Sequence, residues 1–517
     1  MPQKGFSIAG LLKLRNRDEA QGRLRARRPV AIIDIGSNSV RQVVYEGLTR
    51  APSILFNEKV LCGLGRGLAK DGTLEEEAKQ RALRAIRRFT LIARQLKVED
   101  THILATAAAR EASNGEAFVA EVEKITGKAV SLLTGAQEAE YAAFGVRSGF
   151  HNPDGIAADL GGGSTELIGI NGDMTNGVTT PLGGLRLQEE AGENLKAARK
   201  IAKNTLKQVN VKWPGASRTL YAIGGTWRSL ARLYMMETAH PLDVVHGFSA
   251  AAKPFREFCD KVAEGNFDRF SHIDEISKNR KPLLPYGAVV MSELINRFDV
   301  EQVAMSSSGL REGYMYSLLD TETQSRDALL EATAELSLLR ARSPRHSREL
   351  CDWTDMAFEV LGLDEDIKHR RWRLAACNLA DIVWRSASDF RAEQTLGIIN
   401  NAGFSAISHE GRAYLALVTY HRYQGLGPKK EPPAYTSLAN ENDARLARIL
   451  AAFFRVLYQF SAAEEGVLPR LRMERLEKGK LDFIVPKDLI DMVGERPEQR
   501  IEHLARELDE EITIRVG

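Results

Sequence analysis

Cysteine is scarce in this chain of 517 residues, which contains only four. None of them, at positions 62, 259, 351 and 377, forms a C-x-x-C pair, and their spacing suits neither a zinc site nor a disulfide framework. Structural zinc proteins and small disulfide-stapled proteins are therefore excluded. Scattered thiols in so long a chain predict the reducing environment of the cytoplasm.

Long apolar runs and a strong charge imbalance are missing as well. No apolar stretch approaches the ~18 residues of a membrane-spanning helix, so no membrane partner is predicted. The formal net charge is +2, with 44% hydrophobic and 27% charged residues, as in ordinary globular proteins, and no nucleic-acid partner is predicted. Residues 1–29 are the exception, with eight Lys or Arg against Asp18 and Glu19. They are interpreted as a basic arm that is mobile or contacts a polyanion; the acidic pair disfavours an organellar presequence.

Two segments that lie 125 residues apart carry the same pattern: residues 31–39 read AIIDIGSNS and residues 156–166 read IAADLGGGSTE. In each, an apolar run ends at an Asp, and a turn of Gly and hydroxyl residues leads into a second apolar run. Glycine lets the backbone approach an anion, successive N–H groups converge on phosphate oxygens, and hydroxyl groups add donors. The repeat therefore predicts a duplicated domain whose two phosphate-binding hairpins face one cleft.

The turn residues of both hairpins are the predicted phosphate ligands. They are Ser37, Asn38, Ser39, Gly161, Gly162, Gly163, Ser164 and Thr165. Asp34 and Asp159 stand where the strands end and are predicted to hold Mg²⁺ or its water, because Mg²⁺ prefers hard oxygen ligands. Asp159 is the better candidate, and Glu166 either shares this metal or orients the attacking water.

Four further segments match one protein family in the family's order. Residues 106–115, 134–140, 223–226 and 306–313 read TAAAREASNG, TGAQEAE, IGGT and SSSGLREG. With the two hairpins, they make residues 30–319 resemble the exopolyphosphatase / guanosine pentaphosphate phosphohydrolase family, within the sugar kinase, Hsp70 and actin-like ATPase superfamily. The remainder of the chain resembles this family more loosely.

The resemblance implies an α/β fold. Two duplicated actin-like (ribonuclease H-like) halves would surround a cleft, followed by an all-helical HD-like domain and a small α+β C-terminal piece. The predicted units are residues 1–29 (arm), 30–140 and 141–320 (the halves), 321–469 (helical domain) and 470–517 (C-terminal piece).

The resemblance also implies an activity. The family removes terminal orthophosphate from linear polyphosphate with Mg²⁺, processively, and a homodimer is expected. The alternatives are hydrolysis of guanosine pentaphosphate to the tetraphosphate, a sugar kinase or chaperone-like ATPase, and a non-catalytic sensor of polyphosphate or of these guanosine nucleotides.

Three more predicted site positions follow from the matching motifs. Glu138 takes the place of the family's catalytic glutamate and is the predicted general base, although a Glu at a helix start also suits the helix dipole. Arg110 is predicted to clamp phosphate, since its guanidinium fork matches phosphate oxygens. Gly224 and Gly225 either hold a further phosphate or only close a helix turn. Ser306 and the Arg311-Glu312 pair are expected to brace the cleft.

The helical part departs from the HD pattern. Residues 379–381 read LAD and residues 390–393 read FRAE where metal-binding versions have His-containing motifs, so a second metal site is not expected. Two basic groups, at residues 340–348 and 368–373, are interpreted as a track for polyphosphate and a dimerisation surface. A solvated charged face is the alternative.

Overall fold

The computed structural model describes residue 24 and residues 27–170, 177–427 and 432–517. Most of the predicted basic arm lies outside these residues. The Asn171-Gly172 pair, a sequence typical of a hairpin turn, also lies outside them, as does the centre of the Gly- and Pro-rich loop at residues 425–433.

The first half is built on one mixed sheet. Its strands are β1 (Val30–Ile35), β2 (Ser39–Tyr45), β3 (Ile54–Leu61), β4 (Asp100–Ala105) and β5 (Val130–Leu132). They run in the order β3-β2-β1-β4-β5, with β1, β4 and β5 parallel and the β1–β2 and β2–β3 pairs antiparallel.

The second half repeats this arrangement. Its strands are β6 (Ile156–Leu160), β7 (Thr165–Gly169), β8 (Val178–Thr180), β9 (Thr219–Ile223), β10 (Ser249–Ala251) and β11 (Gln302–Met305). Their order is β10-β11-β9-β6-β7-β8, so the run β8-β7-β6-β9-β11 has the topology of the first sheet. The predicted duplication is confirmed.

Helices cover both sheets. They are α1 (Leu68–Asp71), α2 (Glu76–Gln95), α3 (Ala107–Glu111), α4 (Gly115–Thr126), α5 (Gly135–Gly149), α6 (Gly184–Ala191), α7 (Leu195–Lys207), α8 (Gly225–Glu237), α9 (Ala252–Val262), α10 (Leu284–Phe298) and α11 (Leu310–Ser317). The sequence pattern at residues 73–76 predicts a capping box for α2, and this is wrong: Glu75 is the N-cap residue and makes no side-chain cap. The amide of Asn114 instead bonds both the N–H and the C=O of Leu74, at 2.8 and 3.0 Å, and fixes the backbone there.

Two helices exchange places between the halves. Helix α5 follows the first sheet but packs Ala142 and Val146 against the second, so the predicted boundary after residue 140 falls inside it. Helix α11 follows the second sheet but packs Met315 against the first. Where they cross, a Cβ on Gly313 would overlap the backbone of α5 at Tyr141, so glycine permits this close approach. The chain thus links the halves through two helices in contact.

The C-terminal region continues with helices and ends in a small sheet. Its elements are α12 (Thr321–Ser325), α13 (Ala328–Arg340), α14 (Pro344–Leu361), α15 (Ile367–Leu379), α16 (Arg391–Asn401), α17 (His409–Gln424), α18 (Pro433–Thr436), α19 (Glu441–Ser461), β12 (Arg472–Glu477), β13 (Lys480–Val485), α20 (Glu495–Leu508) and β14 (Glu511–Val516). The predicted α+β end piece is present. It shares one hydrophobic core with the helices, in which Trp353 and Phe453 pack with Phe483 and Leu504.

The interpretation of the basic groups as a polyphosphate track is wrong where their side chains form internal ion pairs. Arg373 is buried and bonds Glu365 at 2.8 Å, and Arg371 is buried in an ion pair with Asp327. In the other group, Arg342 bonds the buried Asp381 at 2.6 Å. Removing one member of a buried pair costs about 3–5 kcal/mol, so these residues belong to the stability of the domain. These three charges serve internal contacts, whereas Arg340, Arg348 and Lys368 are exposed, and a track on those residues stays a prediction.

Within the described ranges, no helix is both long and apolar enough to cross a membrane.

Candidate active site

The two hairpin turns have the same backbone geometry. The N–H of Gly36 donates to the carbonyl of Ser39 at 3.0 Å, and the N–H of Gly161 donates to the carbonyl of Ser164 at 2.9 Å. The turns face each other, since a Cβ built on Gly162 would lie 3.5 Å from the Cβ of Ser37. The cleft between them holds about 1160 Å³ of space, part of it open to solvent.

Hydrogen bonding orients the polar groups of both turns. The carbonyl oxygens of Ser37, Asn38 and Gly162 accept bonds of 2.7, 3.0 and 2.9 Å from backbone N–H groups of neighbouring loops and helix α6. The N–H groups of Ser37, Asn38, Gly162 and Gly163 donate to no group in the described part of the chain. Converging N–H donors without a protein partner form an anion-binding concavity.

Nearly all the predicted phosphate ligands line this cleft. They are Ser37, Asn38, Ser39, Gly161, Gly162, Gly163, Ser164, Gly224 and Gly225. Thr165 is the exception and is corrected: its side chain is fully buried, and its hydroxyl donates to the carbonyl of Leu182 at 2.9 Å. The cause is strand geometry, because neighbouring residues of a strand point to opposite faces and Glu166 takes the cleft side.

Gly224 and Gly225 lie where β9 ends and α8 begins, and this turn borders the cleft. Gly224 has a φ of +114°, and a Cβ there would lie 2.5 Å from the carbonyl oxygen of Leu160. The turn therefore requires glycine for backbone reasons. Both residues still border the cleft, so a role in holding phosphate stays a prediction.

Glu138 lies in the first turn of α5 with its carboxylate in the cleft. Thr134 caps this helix and Gln137 completes a capping box, which explains why Gln suits position 137: it serves the helix end. The guanidinium Nη1 of Arg110 donates to Glu138 Oε1 at 2.5 Å and also to the carbonyl of Leu133.

Arg110 does not border the cleft itself. The structure places its guanidinium behind Glu138, so the role that the geometry supports is positioning of that carboxylate. The predicted clamp on phosphate stays a prediction.

Acidic side chains meet at the second hairpin. Asp159 and Glu166 are direct partners across β6 and β7, so their side chains share the cleft face. Burial raises the pKa of Glu138 to about 7; the charge of Arg110 opposes this shift, and the charges of Asp159 and Asp34 add to it. Burial raises the pKa of Asp159 to about 6. The charge of Arg228 opposes this shift, and the charge of Asp34 adds to it. Burial and the charge of Glu138 raise the pKa of Glu166 well above its usual range.

This acidic group fits a divalent cation. Glu166 Oε1 is buried without a hydrogen-bond partner, and mutual repulsion among the carboxylates would be relieved by a positive ion. Asp34 is less available, because its Oδ2 accepts a bond of 2.9 Å from Arg311. No three His, Cys, Asp or Glu side chains in the described ranges come together as a complete metal cage. A Mg²⁺ ion held here by Asp159 and Glu166 would complete its shell with water and substrate oxygens, as is usual for this ion.

Sequence reasoning missed most of the cations in the cleft. Arg41, Lys59, Arg228 and Arg280 line it, and Arg311, which was expected only to brace it, lines it too. Arg41 had a signal, because it lies 125 residues before Glu166 and pairs with Asp34 as Glu166 pairs with Asp159. Arg228 lies just after the Gly224-Gly225 motif, which drew no attention to it, and Arg280 comes from a segment with no phosphate motif.

Similarity to known proteins agrees with this geometry. The chain is 25% identical over 448 residues to retrograde regulation protein 2 of Saccharomyces cerevisiae, covering 77% of this chain and 73% of that protein. It is 25% identical over 312 residues to exopolyphosphatase 2 of Mycobacterium tuberculosis, covering 56% of this chain and 98% of that one. The solved structure of an exopolyphosphatase from Cytophaga hutchinsonii superposes with a TM-score of 0.50 at 22% identity, covering 56% of this chain and 97% of that chain, and shows the shared fold.

Two family profiles cover the chain on either side of residue 325. The profile of the exopolyphosphatase C-terminal family matches residues 329–513. The profile of the Ppx/GppA phosphatase family matches residues 43–322, more than half of the chain, and the protein belongs to this family.

Proposed function

We propose that this protein is an exopolyphosphatase, a hydrolase that releases orthophosphate from the end of linear polyphosphate. The observation that carries the proposal is the pair of facing turns, whose unpartnered N–H groups lie in one cleft with the carboxylate of Glu138. The similarity of this chain to exopolyphosphatase 2 of Mycobacterium tuberculosis supports the same reaction class. A processive reaction, a homodimer and a cytoplasmic location stay predictions from the sequence.

The reaction follows from the placement of the side chains. The terminal phosphate binds between the turns, where the N–H groups of Ser37, Asn38, Gly162 and Gly163 neutralise its oxygens. A water molecule attacks the terminal phosphorus and Glu138 accepts its proton. One P–O bond forms, the phosphoanhydride P–O bond breaks, and the shortened chain leaves with the bridging oxygen.

The acid–base chemistry suits neutral pH. A general base works best when its pKa lies near the operating pH, and burial raises the pKa of Glu138 to about 7. Arg110 holds the carboxylate in position through its 2.5 Å bond. When bound, Mg²⁺ would neutralise charge on the phosphate oxygens, with Asp159 and Glu166 as the residues that hold it.

The proposal is tested by phosphate release from long-chain polyphosphate and from guanosine pentaphosphate, measured side by side with and without Mg²⁺. We expect Mg²⁺-dependent release from polyphosphate, with the higher kcat/KM for that substrate. Faster turnover of the guanosine nucleotide would replace the proposed substrate by the alternative. No release from either would refute hydrolysis.

The Asp159→Asn variant is expected to need about ten- to hundredfold more Mg²⁺ for half-maximal rate, because it loses an anionic ligand. Asp299→Asn is the matched control, since Asp299 is exposed and its positive φ of 50° is one that Asn tolerates. The measurement is a Mg²⁺ titration of phosphate release for both variants. An unchanged titration in Asp159→Asn would remove Asp159 from the metal site.

A further inference from the structure

A second cavity lies where both halves of the protein meet the C-terminal helices, and we call it the interdomain cavity. It holds about 1720 Å³ of space, part of it open to solvent. Among the described residues, only Ser307 borders both this cavity and the cleft with the hairpin turns, so the two spaces are largely separate. Apolar side chains make up much of its lining. They are Pro52, Ile54, Val244, Met315, Leu319, Leu336, Leu339 and Phe404.

Arg412, on α17, brings a buried charge to the lining of the interdomain cavity. Its side chain is 1% exposed, and its guanidinium donates to the carbonyls of Ile399, Ala402 and Phe404 at 2.8, 3.0 and 3.1 Å. Its Nε–H group is buried and has no hydrogen-bond partner among the described residues. No carboxylate in the described ranges pairs with it either. Because a buried charge is costly unless it is paired, an anionic partner would stabilise this guanidinium.

A second buried arginine of the same lining, Arg50, differs from Arg412 in its surroundings. Its guanidinium also donates to backbone carbonyls, among them those of Ser148 and Arg326 at 2.9 and 3.0 Å. Burial lowers its pKa, but the charges of Asp327 and Glu331 oppose that shift. The pKa of Arg412 is lowered to about 10 by burial alone. Arg412 is therefore the cation of this lining whose charge the described residues leave uncompensated.

The acidic groups of the lining already have partners within the protein. Glu335 forms an ion pair with Arg27. Glu312 accepts a bond of 3.0 Å from the hydroxyl of Tyr45 and one of 2.9 Å from a backbone N–H. His246 also borders the cavity, and burial lowers its pKa to about 4, so it is neutral at physiological pH. None of these groups supplies the counter-charge for Arg412.

We propose that the interdomain cavity binds a small organic anion, with a carboxylate at Arg412 and an apolar body along the walls. The carboxylate accepts the bond from Nε–H, and the body covers apolar side chains such as Met315 and Leu336. Apolar walls with one placed charge are the usual composition of a small-molecule site. A chain of phosphates is a poor fit, because several charges would lose water among apolar side chains. The inference goes beyond the proposed hydrolysis and does not depend on it.

The test is direct binding of octanoate to the full chain, measured by calorimetry. 1-Octanol has the tail without the charge, and acetate has the charge without the tail. We expect saturable binding of octanoate and about ten- to hundredfold weaker binding of 1-octanol, the range for losing a hydrogen bond to a charged group. Hexanoate should bind about fifteenfold more weakly than octanoate, because each buried methylene contributes about fourfold. Acetate should not saturate the site at the same concentrations.

The variant Arg412→Gln tests the charge. Its amide can still donate to a backbone carbonyl, but it carries no charge for the ligand. Octanoate affinity should fall about ten- to hundredfold, while 1-octanol affinity should change less than about threefold. Arg340→Gln is the matched control, since Arg340 is exposed and lies outside the lining, and it should bind both ligands as the wild type does. Melting curves without ligand show whether each variant is folded.

The variant Ala332→Phe tests the cavity and leaves Arg412 in place. Ala332 borders the cavity, whereas Ala334 on the same helix, α13, does not. The larger side chain should weaken octanoate and 1-octanol together by at least about tenfold, and Ala334→Phe should change neither. If Arg412→Gln does not fold, this pair of variants carries the test.

Three results would overturn the carboxylate site: no saturable octanoate binding to the wild type, equal affinity for octanoate and 1-octanol, or an unchanged octanoate affinity in a folded Arg412→Gln. Unchanged binding in Ala332→Phe would place the ligand outside the cavity and would also overturn the proposal. None of these titrations requires phosphate release, so the proposed hydrolysis is decided separately.

Discussion

Glu138→Gln is expected to lower kcat for phosphate release by about 10²- to 10⁴-fold, the usual contribution of a general base. The amide keeps the size of the side chain, and its oxygen can still accept the bond that Arg110 donates to Glu138. Substrate binding should therefore stay within a few-fold of wild type. Steady-state kinetics with polyphosphate and direct titration of tripolyphosphate measure the two quantities separately.

Glu140→Gln is the matched control for this variant. Glu140 lies two residues further along the same helix, outside the cleft lining, so its replacement should leave kcat unchanged. A near-wild-type rate in Glu138→Gln, or the same loss in both variants, would exclude Glu138 as the base.

Arg110→Ala is expected to slow the reaction at neutral pH and to move the acid limb of the pH–rate profile to higher pH. The base must be deprotonated, so the rate falls as pH drops through the pKa of Glu138. Burial raises that pKa to about 7, while Arg110 lowers it through a hydrogen bond and its charge. Loss of Arg110 should therefore raise the pKa by about one to three units, the usual effect of an adjacent opposite charge.

The measurement is kcat against pH for the wild type, Arg110→Ala and Arg110→Lys. Lysine keeps the charge without the planar fork, so its acid limb should lie between those of the other two. An unshifted limb in Arg110→Ala would show that Arg110 does not act through Glu138.

The sequence predicted the parts of the site that repeat within the chain. The Asp-Gly hairpins at Asp34 and Asp159 gave the duplicated sheets, because a strand, a Gly turn and a second strand are local features. The same repeat also held a signal for Arg41, the counterpart of Glu166, but this residue was missed. Thr165 was misassigned because the strand already begins at this residue, earlier than a turn-based count assumes, and side chains alternate in direction from there.

Features that depend on distant segments were not predictable in this way. Arg228 and Arg280 lie far apart in the sequence, and only the folded second half brings both to the cleft. The exchange of α5 and α11 between the sheets depends on a backbone contact at Gly313. The number of basic residues at 368–373 was a misleading guide to a ligand surface. Arg373 has its acidic partner Glu365 in the preceding loop, and a run of basic residues does not reveal such pairs.

The most direct test of hydrolysis in this cleft follows oxygen from the solvent. The wild type and Glu138→Gln are incubated with linear polyphosphate in water enriched in heavy oxygen, and the released orthophosphate is analysed by mass spectrometry. We predict one solvent oxygen in each orthophosphate from the wild type, because water attacks the terminal phosphorus, and a loss of labelled product in Glu138→Gln that parallels the loss in kcat. Orthophosphate without the label, or labelled product formed equally fast by Glu138→Gln, would contradict the proposed reaction.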